Sequence, residues 1–326
     1  MASIDRWVYI LFEVLIAVAC CIGNVLVICA VWLCGTLNQP TFCFIASLAM
    51  ADLLVGTVGV PLSVLVDVKV ETSFHACLFF CCVLIIPQVA SVAFLLAIAV
   101  DRCLRVCIPL TYKSTVTKRM SWIAVASCWF TAAMLGFIPL FGWHKSWDNS
   151  THVNSSTFEC SFLAVISESY LVKCIFFSSL LPALAVILAL YWYIFLTTRR
   201  QLRANVGVAS ESRTYYHKEY HLAGSLLLVL ILFAVCWLPL YLMHTINFYG
   251  GNVVPPFITD ICVLLSHANS AVNPILYSFK IPKIKVAYRK LWYRLCPGRE
   301  MQHSKENNME LSKTTVNTTE QNQQRQ

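Results

Sequence analysis

Charge is what this chain has least of. Asp, Glu, Lys and Arg together make up 12% of its 326 residues, about half of the roughly 25% usual in soluble domains. That shortage excludes an ordinary water-soluble fold for most of the chain. Glycine and proline are also few, at 11 and 12 residues, so neither collagen-like nor Pro/Gly-rich disordered sequence accounts for it. No pair of CxxC motifs and no HExxH occurs, which leaves a structural or catalytic metal centre without support. No nucleophile with a base and an acid at catalytic spacing is evident, so no enzyme activity is expected.

What is abundant is apolar sequence, 58% of the chain. A helix that crosses a bilayer needs about 20 mostly apolar residues, because a rise of about 1.5 Å per residue must match a core of roughly 30 Å. Seven such stretches occur: Val8 to Leu33, Phe42 to Val66, Cys77 to Cys107, Ser121 to Trp143, Tyr170 to Leu196, Leu222 to Phe248 and Pro255 to Phe279. They are continuously apolar, not alternating, so a transmembrane barrel is excluded. The fold class is an all-α membrane protein, a seven-transmembrane helix bundle. The first stretch contains Glu13 and lacks a small-residue cleavage pattern, so it is expected to be retained as a span and not removed as a signal peptide.

Basic residues accumulate in cytoplasmic loops. With the N-terminus outside, 4 of the 24 Lys and Arg (Arg6, Lys69, Lys145, Lys173) fall outside and the other 20 inside. The net charge of +8 is therefore a membrane-surface signal and implies no nucleic-acid partner. Two sequons, at Asn149 and Asn154, fall in the loop after span four on the outer side and are expected to carry glycan. After span seven, Ile284, Ala287, Tyr288, Leu291 and Leu295 recur at helical spacing among basic residues, which predicts a C-terminal amphipathic helix on the inner leaflet of the lipid bilayer. Cys296 at its end is a candidate for palmitoylation or a plain thiol. Residues 1–296 form the seven-span unit with its amphipathic helix and 297–326, rich in Asn, Gln, Ser and Thr, a disordered cytoplasmic tail.

Polar residues inside a span are costly and need a partner or a task. Asp52 is the deepest acid; Asn24, Ser91, Asn269, Ser270 and Asn273 lie at comparable depth. They form either a small-cation site, sodium rather than a divalent ion, or a set of helix-packing hydrogen bonds. At the inner end of span three, Asp101 adjoins Arg102, and Glu219 near the inner end of span six offers a second acid, so that Arg102 can latch two helices. Pro182, Pro239 and Pro274 permit kinks. Of the 16 cysteines most lie in apolar runs and act as small hydrophobes. Cys77 and Cys160 sit in the oxidising outer compartment, which favours a disulfide between them over Cys174 or Cys262. Near the outer ends, Phe162, Trp237, His244, Asn247, Ser266 and His267 combine aromatic walls with hydrogen-bonding groups and suit a small planar polar ligand.

Five motifs stand in order: Gly23-Asn24-Val25, Leu48-Ala-x-Ala-Asp52, Asp101-Arg102-Cys103, Cys236-Trp237-Leu238-Pro239 and Asn273-Pro274-Ile-Leu-Tyr277. With them the chain resembles the rhodopsin-like G-protein-coupled receptors over Tyr9 to Cys296, although Cys103 stands where that family usually has tyrosine. The stretches "PLFGW", "FAVCWLPL" and "LLSHANSAVNPI" are similar to the adenosine receptors, nearest their A-three branch. The resemblance implies a nucleoside agonist, a heterotrimeric G protein of the inhibitory class as partner, lowered cyclic AMP, residence in the plasma membrane, no cofactor and an allosteric sodium ion.

Residue by residue, the resemblance implies that Phe162 stacks on a purine, Trp237 lies beneath it, Ser266 and His267 face a ribose and Glu13 pairs with His267. Leu110 matches an apolar plug into the G protein, and Pro274 with Tyr277 the switch in span seven. The family's purine-gripping asparagine falls at His244, while Gln88, Val89, Leu163 and Ile175 occupy further positions that differ from it. Asn247 or Gln88 is the alternative purine contact. Competing readings are a receptor of the same fold with a drifted ligand or none, and a transporter or channel, although no internal repeat of broken helices is found.

Overall fold

The computed structural model describes residues 2–145, 158–204 and 210–291, except 34, 36, 38, 252, 282, 283, 287 and 290. Seven long helices follow one another. They are α1 (Ala2–Leu33), α2 (Pro40–Asp67), α3 (Phe74–Cys107), α4 (Lys118–Phe137), α5 (Tyr170–Ala204), α6 (Ser210–Gly250) and α7 (Pro256–Lys280). A helix satisfies its own backbone donors and acceptors, which is what a water-free bilayer core demands. The ends run beyond the apolar stretches, most of all in α6, where polar residues from Ser210 onward prolong the helix past the apolar start at Leu222. Ser73 and Thr117 cap α3 and α4 by accepting the backbone N–H of Ala76 and Met120.

The prolines mark the irregularities. Pro87, Pro239 and Pro274 lie inside α3, α6 and α7. In α2 and α5 the chain widens into π-helical turns at Val55–Gly59 and Tyr170–Leu180, each ending just before a proline, Pro61 or Pro182. A wider turn accommodates the carbonyl that a proline ring would otherwise strike.

At the centre stands α3, packed against α2, α4, α5 and α6, while α1 packs on α2 and α7. One apolar core runs through the bundle, including Leu48, Phe94, Ile98, Ile187 and Phe233. Large apolar side chains also cover the outside, such as Leu11, Leu15 and Ile22 on α1, Phe130 on α4 and Trp192 on α5. Apolar on both faces is the pattern of helices solvated by lipid. Gly23 allows α1 and α7 to touch: a β-carbon there would come within 2.9 Å of Pro274 Cγ.

Of the expected C-terminal helix, residues 284–286, 288, 289 and 291 are helical, with Ile284 buried and Lys285 and Arg289 exposed. Asn149, Asn154 and Cys296 lie outside the described residues.

Candidate functional site

The outer loops build a lid. Strands β1 (Glu71–Thr72) and β2 (Phe158–Glu159) pair antiparallel, Lys69 bridges Glu159 at 3.3 Å, and Cys160 N–H donates to Val70 O at 3.0 Å. Cys77 and Cys160 are joined as a disulfide. The loop is thereby tied to the outer end of α3, and the short helical turn Phe162–Val165 follows the tie directly. Phe162 and Leu163 consequently hang over a cavity of about 170 Å³ enclosed by the outer halves of α2, α3, α5, α6 and α7.

Seven of the residues expected in a ligand pocket line this cavity: Phe162, Leu163, Trp237, His244, Ser266, His267 and Gln88. Glu13 lies behind the wall, fully buried, with its carboxylate 2.8 and 2.9 Å from His267 Nδ1. The pair fixes the imidazole so that its other nitrogen is left for a different partner. Ser266 is anchored by donating to Val263 O at 2.7 Å. His244 is 6% exposed and its Nδ1 has no partner, and neither has Trp237 Nε1. Leaving a buried polar group unsatisfied costs about 1–3 kcal/mol, so these two atoms are where a polar ligand or a water can bond.

Two of the expected contact residues are engaged within the protein. Asn247 does not line the cavity: its carbonyl accepts the N–H of Val254 at 3.0 Å and its amide reaches Met243 Sδ at 3.4 Å, so it holds the turn after α6 instead. Gln88 does line the cavity but is already engaged, its amide donating to the Tyr241 hydroxyl. Tyr241 in turn stacks on Phe176, 5.4 Å between centroids and 6° between planes. Tyr241, Asp67 and Tyr9 were not foreseen. The Tyr9 hydroxyl lies 3.0 Å from a Glu13 oxygen and 2.9 Å from an Asp67 oxygen, its one proton shared between the two acids, and Asp67 lines the cavity. The spacing of Tyr9 and Glu13, one helical turn, was the available signal.

Below the cavity, Asp52 is fully buried. It accepts from Ser270 Oγ and Asn273 Nδ2, each at 2.8 Å. Asn24 Nδ2 donates to Ser270 O at 2.9 Å and to Cys20 O at 3.0 Å. Ser91 is not among the contacts of Asp52; its hydroxyl bonds back to Pro87 O at 2.9 Å, one turn up its own helix. The carbonyl oxygens of Asn24, Asn269 and Asn273 are buried without a donor. Acceptor-only oxygens around a carboxylate are a donor set that fits a small hard cation.

At the inner end, Arg102 Nη1 meets Glu219 at 3.0 Å and Nη2 meets Asp101 at 2.6 Å, all three buried. Thr41 and Tyr112 complete the cluster: Thr41 donates to Asp101 at 2.5 Å and accepts from Arg102, and Tyr112 donates to the other Asp101 oxygen. Tyr112 belongs to a short helix, Pro109–Thr115, outside the spans. Burial first, and then the hydrogen bond to Asp101, push its phenol up to about 12. Leu110 in the same helix is 96% exposed. Tyr277 is buried with its hydroxyl unpartnered.

Residues 23–277 match the family described as 7 transmembrane receptor (rhodopsin family). The chain is 40% identical over 294 residues to adenosine receptor A3 of Canis lupus familiaris, covering 90% of this chain and 93% of that one. It is 41% identical over 280 residues to adenosine receptor A3 of Ovis aries, covering 86% and 88%, and 40% identical over 286 residues to that of Bos taurus, covering 88% and 90%.

Proposed function

Since this chain belongs to the rhodopsin family of seven-transmembrane receptors and, within it, to the adenosine receptors, we propose that it binds adenosine or a close purine nucleoside in the outer cavity and signals through a G protein of the inhibitory class. It is a receptor and not an enzyme. The observation that carries the ligand reading is the Glu13–His267 pair beside Ser266, on the wall of the cavity that Phe162 roofs and Trp237 borders. Ser266 and His267 supply hydroxyl-binding groups for a ribose, and Phe162 a flat apolar face for a purine. His244, with Nδ1 unpartnered, offers one hydrogen bond where a side-chain amide would offer a coplanar donor and acceptor.

Agonist would favour a state in which the inner end of α6 leaves α3, separating Arg102 from Glu219 and opening a groove beside Leu110. A ligand shifts such an equilibrium only by its difference in affinity for the two states. Asp52, Asn273 and the free carbonyl of Asn269 would hold sodium, with Ser91 joining after a rotamer change; a bound ion would neutralise the buried carboxylate and favour the closed packing. The basic surplus supports an outside N-terminus and inside C-terminus in the plasma membrane, with glycan at Asn149 and Asn154 and palmitate at Cys296.

A second reading, a receptor of this fold with another ligand, draws on His244, which stands where the resemblance implies an asparagine, and on the Gln88–Tyr241 bond, which engages an expected ligand contact. Adenosine-stimulated nucleotide exchange on an inhibitory G protein decides between them. Saturable stimulation that weakens about twofold to tenfold in Phe162→Ala, the worth of one aromatic stack, supports the nucleoside; no stimulation at any concentration supports the second reading.

A further inference from the structure

The last turn of α3 carries two thiols that the signalling scheme does not use. Cys103 and Cys107 are four residues apart, which places them on one helix face one turn from each other. Their sulfur atoms lie 3.7 Å apart. Both are free; Cys107 is exposed and Cys103 half-buried. Other neighbouring cysteines offer less. Cys77, Cys81 and Cys160 also cluster, but two of those sulfurs are spent in the disulfide, and Cys81 is fully buried. Cys20 and Cys21, like Cys81 and Cys82, are adjacent in sequence, so their side chains diverge around the helix.

The spacing has a chemical match. Two thiolates bound to one tetrahedral zinc at about 2.3 Å hold their sulfurs about 3.8 Å apart. The pair meets that requirement as it stands. A disulfide would need the same atoms to close to about 2.05 Å, and the orientation proposed above puts them in the cytosol, where thiols stay reduced.

We propose that Cys103 and Cys107 form a two-thiolate site for a soft divalent metal ion of the zinc and cadmium class. Two S–H bonds break, their protons pass to solvent, two metal–sulfur bonds form, and water occupies the remaining positions. Cys107 is the last residue of α3 and Arg102 directly precedes Cys103, so the ion staples the turn that presents the latch. The site depends on the two thiols alone and not on which nucleoside the outer cavity takes.

The test uses the full chain purified in lipid nanodiscs and titrated with cadmium or zinc chloride alone. Cadmium should raise a thiolate-to-metal charge-transfer absorption that saturates at one ion, and zinc X-ray absorption should report two sulfur neighbours at about 2.3 Å. Cys103→Ser and Cys107→Ser should each lose the signal, while Cys128→Ser, a thiol outside the pair, keeps it. In the unmodified chain, mass mapping should find both thiols alkylated at least tenfold more slowly with zinc present, a readout that needs no variant to fold. Absent sulfur ligation, or ligation that survives both serine variants, or alkylation of Cys103 and Cys107 indifferent to zinc, overturns the proposal.

Discussion

At the inner end of the bundle Arg102 spreads its guanidinium over Asp101, Glu219 and Thr41. At the outer end His244 Nδ1 and Trp237 Nε1 are buried at the wall of a cavity with nothing to bond. The contrast extends further. Among the described residues, the buried side-chain polar atoms without partners lie at Trp237, His244, Asn24, Asn269 and Asn273 in the outer and middle parts, and at Tyr277 and Arg105 toward the inner end. Buried polar groups in native proteins are normally satisfied. A satisfied cluster needs nothing beyond itself, whereas polar atoms on a cavity wall are open to a ligand or to water. In this molecule the first is the buried Arg102 cluster and the second includes the wall of the outer cavity.

The largest effect should come from untying the lid. The Cys77–Cys160 bond closes a separation of 83 residues, and in the chain-entropy account such a closure stabilises by about 4–5 kcal/mol. Cys160→Ser is expected to abolish agonist binding, read by radioligand saturation. Binding that persists with the wild-type dissociation constant would mean that the outer cavity does not depend on its loop.

The next test sharpens the contrast at His244. Replacing it with asparagine gives a purine a donor and an acceptor together. One added hydrogen bond at about 0.5–1.5 kcal/mol makes His244→Asn bind an adenosine analogue about twofold to tenfold more tightly. An unchanged affinity would show that the purine edge does not face this position.

A smaller effect is expected at the middle of the bundle. Agonist affinity should fall a few-fold, about 0.5–1 kcal/mol, when sodium replaces choline in the assay, and Asp52→Asn should remove that sensitivity. Equal sensitivity in both proteins would dissociate the unpartnered asparagine carbonyls from any cation.

The seven spans were legible because a bilayer imposes length and apolarity on each helix independently, so every apolar run carries its own signal. The latch was legible for a similar reason: Arg102 and Glu219 are charges that a membrane interior makes conspicuous. Thr41 and Tyr112 were not, since a threonine and a tyrosine near a helix end have many ordinary uses and only the packing brings them to Asp101. Asn247 shows the converse case. Its position beyond Pro239 pointed toward the ligand, but the backbone N–H of Val254 needed an acceptor and took its carbonyl. The π-helical turns left only the prolines that follow them as a trace. Gln88 illustrates the limit most plainly, because its engagement by Tyr241 depends on how close α3 and α6 approach, which no pattern within either helix encodes.

The outer pocket and the inner Arg102 cluster are expected to belong to one two-state equilibrium. Coupling between sites is reciprocal, so weakening the latch must strengthen agonist binding far from it. Removing one partner of a buried ion pair costs about 3–5 kcal/mol when the other charge is left alone; Arg102 keeps Asp101 and Thr41, so about 1–2 kcal/mol is expected for Glu219→Gln. Radioligand saturation with an adenosine agonist, in membranes free of G protein, measures this directly. Binding to Glu219→Gln is expected to be about tenfold tighter than to wild type, together with raised basal nucleotide exchange when G protein is added. An agonist dissociation constant identical in the two proteins would contradict it.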